Sequence, residues 1–544
     1  MRQLEVSALA ELGTAGCDVC IIGAGPAGIA IASELSGVGL RIVILESGGR
    51  ERQDFADALD EVENVGWPRI EDQWLVRNRI VGGASHTWSG RCVPFDAIDY
   101  VPRHWVPHSG WPITQEEMLP YLDRAAPYLG IDLGSGYNGE QFWRIAARQR
   151  PLPMFDESLL RSYYWTFSRD PDNARDHMRL ARHLPRWAGD DVALVTNATV
   201  CQIEVNEVAT LAERLEVAAP DGTRRYLDAK FVILCAGGIE NPRLLLCSRS
   251  QVPNGIGNEN DQVGRYLMDH LRGPVASFTL AGTRRLRRQL GHYRVASGQV
   301  FAHGMQLSEQ VQRGEALLNT TAWLEGRIAA DDPFNALKRW VRLRPALPRD
   351  ALSVLGNAGL LALGARDYFV LRNGLPRKLD RLLLMAMCEQ LPDPDSRVTL
   401  SGQHDWLGLP RARIDWRVHK QEEQSLRRAA LAVVREFSRL GLPAPVLEDW
   451  VMDERLKLPD DFRDVAHPTG TTRMGRVTKS SVVDDRCRVH GMRNLFVAGS
   501  SVFPTSSHAN PTQMIVALAI RLADDVKQAA RQNVNNRAST AASV

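Results

Sequence analysis

Residues 17–46 read CDVCIIGAGPAGIAIASELSGVGLRIVILE, and this stretch decides the fold. Residues 17–22 read as a buried strand, GAGPAG at 23–28 as a turn, IAIASEL as a helix, GVG as a break and LRIVILE as a second buried strand. Strand, turn, helix and strand in that order make a dinucleotide-binding βαβ unit. Gly23 permits the tight turn, Gly25 lets backbone approach a pyrophosphate, and Gly28 lets helix and strand close on each other. The new helix N-terminus faces the phosphate charge. Glu46 ends the second strand 21 residues after Gly25, where a carboxylate accepts hydrogen bonds from ribose hydroxyls.

The glycines alone do not separate FAD from NAD, so the reading moves outward. Gly82 and Gly83, in NRIVGGASHTWSGR, permit a loop to lie close against a ligand. Residues 99–190, dense in Trp, Pro and Arg, read as loops and short helices forming a cap. LVTNATVCQIEV (194–205), LAERLEV (211–217), an Asp221-Gly222 turn and AKFVILCAGG (229–238) read as a hairpin and a further buried strand, with RLLLCS helical after Pro242. The stretch 270–465 alternates strand-like and helical pieces. NLFVAGSSVF (494–503) returns to a buried strand and PTQMIVALAIRLADDV (511–526) to a helix.

A discontinuous architecture follows. Residues 1–14 are an N-terminal extension; 15–98, 190–270 and 468–528 form the cofactor domain; 99–189 and 271–467 form the cap and substrate domain; 529–544 form a flexible tail.

Composition excludes other classes. The chain has 544 residues, with 66 basic against 64 acidic, a net +2 too balanced for gripping nucleic acid along its length. Eight scattered cysteines are too few for a disulfide scaffold and point to a reducing, cytoplasmic setting. Cys17 and Cys20 lie on opposite faces of the first strand with no second pair, so no metal site is expected. No leader or membrane span is visible.

Six further stretches join the first: VGGASHTW (81–88), CAGGIENPRLLL (235–246), VGRYLMDH (263–270), EQLPDPDSRVTL (389–400), HPTGTTRMG (467–475) and NLFVAGSSVFPTSSHANPT (494–512). With GAGPAG and Glu46, the chain resembles the glucose/methanol/choline (GMC) flavoprotein oxidoreductases nearly end to end, in the branch of pyranose oxidase and sugar dehydrogenases. The resemblance implies an α/β (α+β overall) fold, with a Rossmann-like FAD-binding domain against a substrate domain of mostly antiparallel sheet and helices. It places Gly82, Gly83, Ser85, His86, Val200, Gly499, Ser500, Asn510 and Thr512 at the cofactor, beside Gly23, Gly25, Gly28 and Glu46. In pyranose oxidase-like members a histidine directly before the tryptophan can carry flavin covalently. Here Thr87 precedes Trp88 and His86 lies one residue earlier, so dissociable FAD is expected.

Oxidising an alcohol with flavin sends a hydride to N5 and leaves a proton, which histidine is suited to accept near neutral pH. The resemblance selects His467 as that base and Asn510 as its partner. Asn510-Pro511 before an apolar helix also reads as an N-cap and a proline at N1. His508 would share a face with Asn510 in extended chain and is a weaker substrate contact, as are Gln390 and Glu389. His490 reads as turn structure.

Between residues 333 and 381 ten Lys or Arg face three Asp. This segment could rest on an anionic membrane, dock an acidic electron-accepting protein, or be a solvated insertion over the substrate entrance. The expected activity is oxidation of a secondary hydroxyl of a sugar, glycoside or polyol, with oxygen, quinone or a redox protein as acceptor. Oxidation of a primary or long-chain alcohol, and a lyase with structural FAD, are the alternatives.

Overall fold

The computed structural model of the protein describes residues 1–9, 16–131, 153–173, 176–294, 298–341, 348–370 and 375–541. Val- and Ile-rich Cys17–Ile22 and Ile42–Leu45 are almost entirely buried and lie side by side in a parallel sheet. The order across that sheet is Arg2–Glu5, Val192–Thr196, Ile42–Leu45, Cys17–Ile22 and Arg224–Leu234, with Leu495–Val497 also pairing with Arg224–Leu234. Parallel strands need crossover connections, and Pro26–Leu35 supplies the first, with Gly25 as N-cap and proline at N1. A Cβ on Gly28 would stand 2.0 Å from the Gly23 carbonyl oxygen, so only glycine lets helix and strand approach this closely.

A second sheet is wholly antiparallel. It runs Val446–Leu447, Leu271–Phe278, Leu379–Cys388, Thr320–Ile328, Val300–Leu307, Leu160–Phe167 and Arg91–Cys92, with His292–Arg294 beside Val300–Leu307. The amphipathic helix Lys420–Arg439 covers one side and buries Leu426, Val433 and Phe437 in this sheet's own core. A three-stranded sheet, Arg397–His404, Pro410–Asp415 and Val62–Asn64, completes the strands. The mixed α/β class is therefore as the residues imply.

Several elements differ from expectation. Arg2–Glu5 is an edge strand of the parallel sheet rather than an extension. The expected strand 194–205 is two, Val192–Thr196 and Thr199–Val205, because Asn197 adopts φ +56° and turns the chain. Arg224–Leu234 does two jobs: its first half completes the hairpin and its second half enters the parallel sheet. The stretch 99–190 holds the helix Gln115–Leu129, closed by a capping box at Thr114 and left-handed Gly130, and the strand Leu160–Phe167. Arg91–Cys92 belongs to the antiparallel sheet. The last helix runs Thr512–Ala541 through most of the expected tail, and packs on Pro26–Leu35 and Gln115–Leu129.

The basic segment forms helices Pro333–Val341, Pro348–Gly356 and Ala358–Phe369. Four of its cations are paired, Arg339 with Asp350, Arg366 with Asp367, Arg377 with Asp332 and Lys378 with Asp331. Arg342, Arg344 and Arg372 lie outside the described residues.

Candidate functional site

A cavity of about 830 Å³ lies where the two large sheets meet. Its size sits within the ~300–1,000 Å³ of small-molecule and cofactor sites. Gly23, Gly25, Glu46, Gly83, Ser85, Val200, Gly499, Ser500, Asn510, Thr512 and His467 all line it. A Cβ on Gly25 would meet nothing within 4 Å, so glycine there serves no neighbour in the protein and leaves room for a ligand. Gly82, at φ +103°, pins the loop to the first turn by donating its N–H to the Ala24 carbonyl at 2.7 Å.

Glu46 accepts the N–H groups of Ala24 at 2.8 Å and Gly48 at 2.9 Å, one on each oxygen. Burial raises its pKa against these donors, and each oxygen keeps a lone pair for a further donor. Asp60, Arg77, Arg79 and Glu240 line the same region as an ion-pair network, with Arg79 to Asp60 at 2.8 Å and to Glu240 at 2.9 Å. Burial would raise Glu240, but Arg243, Arg79 and Arg77 outweigh it and hold the carboxyl at about 2.

His467 and Asn510 come together across 43 residues, with Asn510 Nδ2 at 3.4 Å from His467 Nε2. The other ring nitrogen, Nδ1, meets His270 Nδ1 at 2.8 Å. His270 Nε2 faces only carbonyls, Ser507 O at 2.7 Å and Ser506 O at 3.3 Å, and must therefore carry its proton. Neutral His270 then has an acceptor at Nδ1, so His467 donates from Nδ1 and leaves Nε2 unprotonated, an acceptor facing Asn510 Nδ2. Burial holds both rings below the usual imidazole range, His270 at about 4, and for His467 the nearness of His270 and of the cations Arg272 and Arg91 adds to the effect. Asp269 fixes the backbone beneath the pair, accepting the N–H of His467 at 2.9 Å and of His270 at 2.8 Å.

Asn510 does not cap the final helix. The helix begins at Thr512, Pro511 O accepts the Ile515 N–H at 2.9 Å, and the buried Oδ1 of Asn510 has no partner among the described residues.

Five expected contacts are corrected. His86 turns away from the cavity and bonds through Nε2 to Val81 O at 2.8 Å; Thr87 lines the cavity in its place. Gln390 is fully buried and its amide is spent, Oε1 on Asp269 N at 2.7 Å and Trp416 Nε1 at 2.6 Å, Nε2 on Arg417 O at 2.5 Å. Its neighbour Glu389 is locked to Arg103 at 2.6 and 2.7 Å. His508 is buried beside Tyr163, with Nδ1 3.5 Å from Asp96, because Ser507 at φ +55° breaks the extended run that would have aligned it with Asn510. Gly28 also stays out of the cavity, serving helix packing. His490 bonds Ser481 at 2.9 Å.

Two groups with metal-ligand chemistry, Asp96–Asp99–His508 and Asp170–Asp172–His183, are not part of the cavity wall. Gln306, Asn319 and Ser507 donate to the first, and Arg182 and Arg186 pair with the second.

His270 and the arginines at the cavity, Arg91 and Arg272, were not singled out from sequence. His270 lay within a quoted motif, VGRYLMDH, and that was its only signal.

Residues 392–519 match the family model described as GMC oxidoreductase. The chain is 26% identical to 2-methyl-1,2-propanediol dehydrogenase of Mycolicibacterium austroafricanum, over 96% of this chain and 97% of that one. It is 24% identical to the fructose dehydrogenase large subunit of Gluconobacter japonicus, over 95% and 99%. Among solved structures, pyridoxine 4-oxidase from Mesorbium loti superposes with a TM-score of 0.58 at 17% identity, covering 94% of this chain and 99% of that one. That likeness is one of fold.

Proposed function

We propose that this chain, an oxidoreductase of the GMC family, oxidises a secondary hydroxyl of a sugar, glycoside or related polyol to the ketone. The observation that carries the reading is His467, held neutral with an unprotonated Nε2 in contact with Asn510 Nδ2 on the wall of a dinucleotide-sized cavity.

The family's cofactor is FAD, and the residues fit it: Gly25 leaves open space at the turn, Glu46 keeps acceptor capacity, and the final helix opens at the cavity with Thr512. Bound FAD supplies the two-electron acceptor for the hydride that leaves the carbinol carbon. His467 Nε2 takes the hydroxyl proton. His270 stabilises the resulting imidazolium by accepting its Nδ1–H, and the Asn510 amide holds the hydroxyl oxygen in line. The N-terminus of the 30-residue helix from Thr512 lends partial positive charge to that end of the cavity.

The reading includes non-covalent FAD, supported by His86 facing Val81 and by the Thr87 hydroxyl bonding Asn78 at 2.8 Å. A cytoplasmic location belongs to it, supported by eight free thiols. So does a peripheral contact through 333–381, with oxygen, a quinone or a redox protein as acceptor.

Anaerobic addition of sugars and polyols to the purified holoprotein tests the activity, followed by the oxidised flavin band. Bleaching by a secondary-alcohol donor is expected, and its recovery with oxygen or an artificial acceptor ranks the acceptors. A lyase with structural FAD leaves the band intact, and bleaching by primary alcohols alone would move the activity to that class. Acid precipitation is expected to leave the flavin in the supernatant.

A further inference from the structure

A half-buried cation with no ion pair among the described residues faces this cavity. Arg91 stands on the edge strand Arg91–Cys92 of the antiparallel sheet and lines the cavity. Its guanidinium lies over the rings of Trp165 at 5.0 Å, Trp323 at 5.4 Å and Phe167 at 5.9 Å. Its buried Nε has no hydrogen-bond partner, and no carboxylate pairs with it among the described residues.

Beside it Arg272 lies over Trp323 at 5.2 Å and is already paired, to Glu325 at 2.5 Å. Arg327 and Arg463 line the same cavity, exposed and without an ion pair among the described residues, as do Asp461 and Asp464, the latter paired with Arg69 at 3.2 Å. Trp323, Met385 and Met387 make the rest of it apolar. A cation taken out of water without a partner is unfavourable, and an apolar wall strengthens its attraction for an arriving anion. The three rings hold the guanidinium plane, and a planar fork suits a carboxylate's two oxygens.

We propose that the alcohol taken by this site carries a carboxylate, a hydroxy acid of the sugar-acid type, whose carboxylate pairs with Arg91 while its hydroxyl meets His467 Nε2. This rests on the oxidation proposed above: the C–H bond leaves as hydride to FAD, the O–H proton goes to His467, and the carboxylate is unchanged. Arg91 offers one guanidinium fork and its neighbour Arg272 is engaged by Glu325, so one carboxylate suffices at this place in the wall. Burial lowers the Arg91 pKa and Arg272 adds to it, against the opposing effect of Tyr163 and Glu325.

The test compares glucose, glucuronate and glucose 6-phosphate, which share a ring and differ at C6, by anaerobic flavin bleaching with the holoprotein. Malonate, which has no hydroxyl to oxidise, reports binding through the flavin spectrum. Glucuronate is expected to exceed glucose in kcat/KM by about tenfold or more, the scale of one charge-assisted pair. Arg91→Gln is expected to abolish the malonate response and to bring the glucuronate-to-glucose ratio of kcat/KM, measured within the same variant, to about one. Arg91→Lys keeps the charge without the fork and is expected to fall between; it decides the matter if Arg91→Gln does not retain FAD. Equal malonate response in wild type and variant, or a preference for glucose or its phosphate, overturns the proposal. Arg91-dependent malonate binding with no bleaching by any alcohol would sink the oxidation and leave the anion subsite standing.

Discussion

Two histidines and two carbonyls decide the protonation state of the proposed base. Ser506 and Ser507 offer only acceptors to His270, so the proton pattern propagates through His270 to His467 and leaves its Nε2 unprotonated. Replacing His467 with Ala is expected to slow flavin reduction by about 10²–10⁴-fold, the usual worth of a positioned base, while FAD stays bound. His270→Phe removes the acceptor at Nδ1, so His467 loses its fixed tautomer; kcat is expected to fall about tenfold, with KM little changed. The sign of the pH dependence follows from burial. His467 is held below the ordinary imidazole value, so it stays neutral into mild acid, and the acid limb of kcat/KM lies well below pH 6.5. A limb at or above 6.5 in a stopped-flow pH series would contradict the buried, His270-linked base. His467 and Asn510 were legible because a sequence pattern carries both. His270 was not, because its role exists only when residues 197 positions apart close on one another. Gln390 and His508 failed for a related reason: a polar residue near a site cannot be told by sequence from one whose hydrogen bonds are already spent inside the fold.

At the scale of elements, the first turn separates two kinds of glycine that look alike in GAGPAG. Gly28 is required by the protein, since its Cβ would overlap the Gly23 carbonyl. Gly25 has ordinary backbone angles, φ −80° and ψ −173°, and open space, so its requirement is external. Gly25→Val is therefore expected to fold with a near-native melting temperature when apo, yet to weaken FAD binding by about tenfold or more, the cost of crowding a close contact by ~1–3 kcal/mol. Gly28→Val is expected to lose folded protein. Flavin content and thermal melts of the two variants distinguish the cases; equal FAD retention in Gly25→Val and wild type would mean that the turn does not approach the pyrophosphate. The βαβ unit was readable because buried strands and a proline-started helix follow local rules. Leu160–Phe167 was not, because its LRSYYWTF alternates weakly and its partner Val300–Leu307 lies far along the chain. The dual strand Arg224–Leu234 hid in the same way, a hairpin arm locally and a parallel strand only through Cys17–Ile22 and Leu495–Val497.

For the whole molecule, strands far apart in sequence, Cys17–Ile22, Val192–Thr196 and Leu495–Val497, join one sheet because each is a buried apolar run, whereas the character of the 333–381 segment changes once folded. Charge alone drew notice to it, yet four of its cations are internally paired, and Lys338, Arg349 and Arg381 are those without an ion pair among the described residues. What stands out is apolar exposure on two consecutive helices: Leu352 at 74%, Leu355 at 75% and Phe369 at 78%. Leu352 and Leu355, three residues apart, share one helix face. Exposed apolar groups of this size beside cations are the makings of an interfacial contact, the side chains entering the headgroup boundary and the charges adding a salt-sensitive attraction. No helix among the described residues is long and apolar enough to cross a membrane. The protein is expected to co-sediment with vesicles containing phosphatidylserine, more weakly with pure phosphatidylcholine, and to release partly as salt rises. The triple substitution Leu352→Ser, Leu355→Ser and Phe369→Ser is expected to abolish sedimentation while leaving flavin bleaching unchanged, since none of the three lines the cavity. Sedimentation that survives the triple substitution would place any lipid contact elsewhere, and its absence from wild type would leave these helices as a solvated insertion.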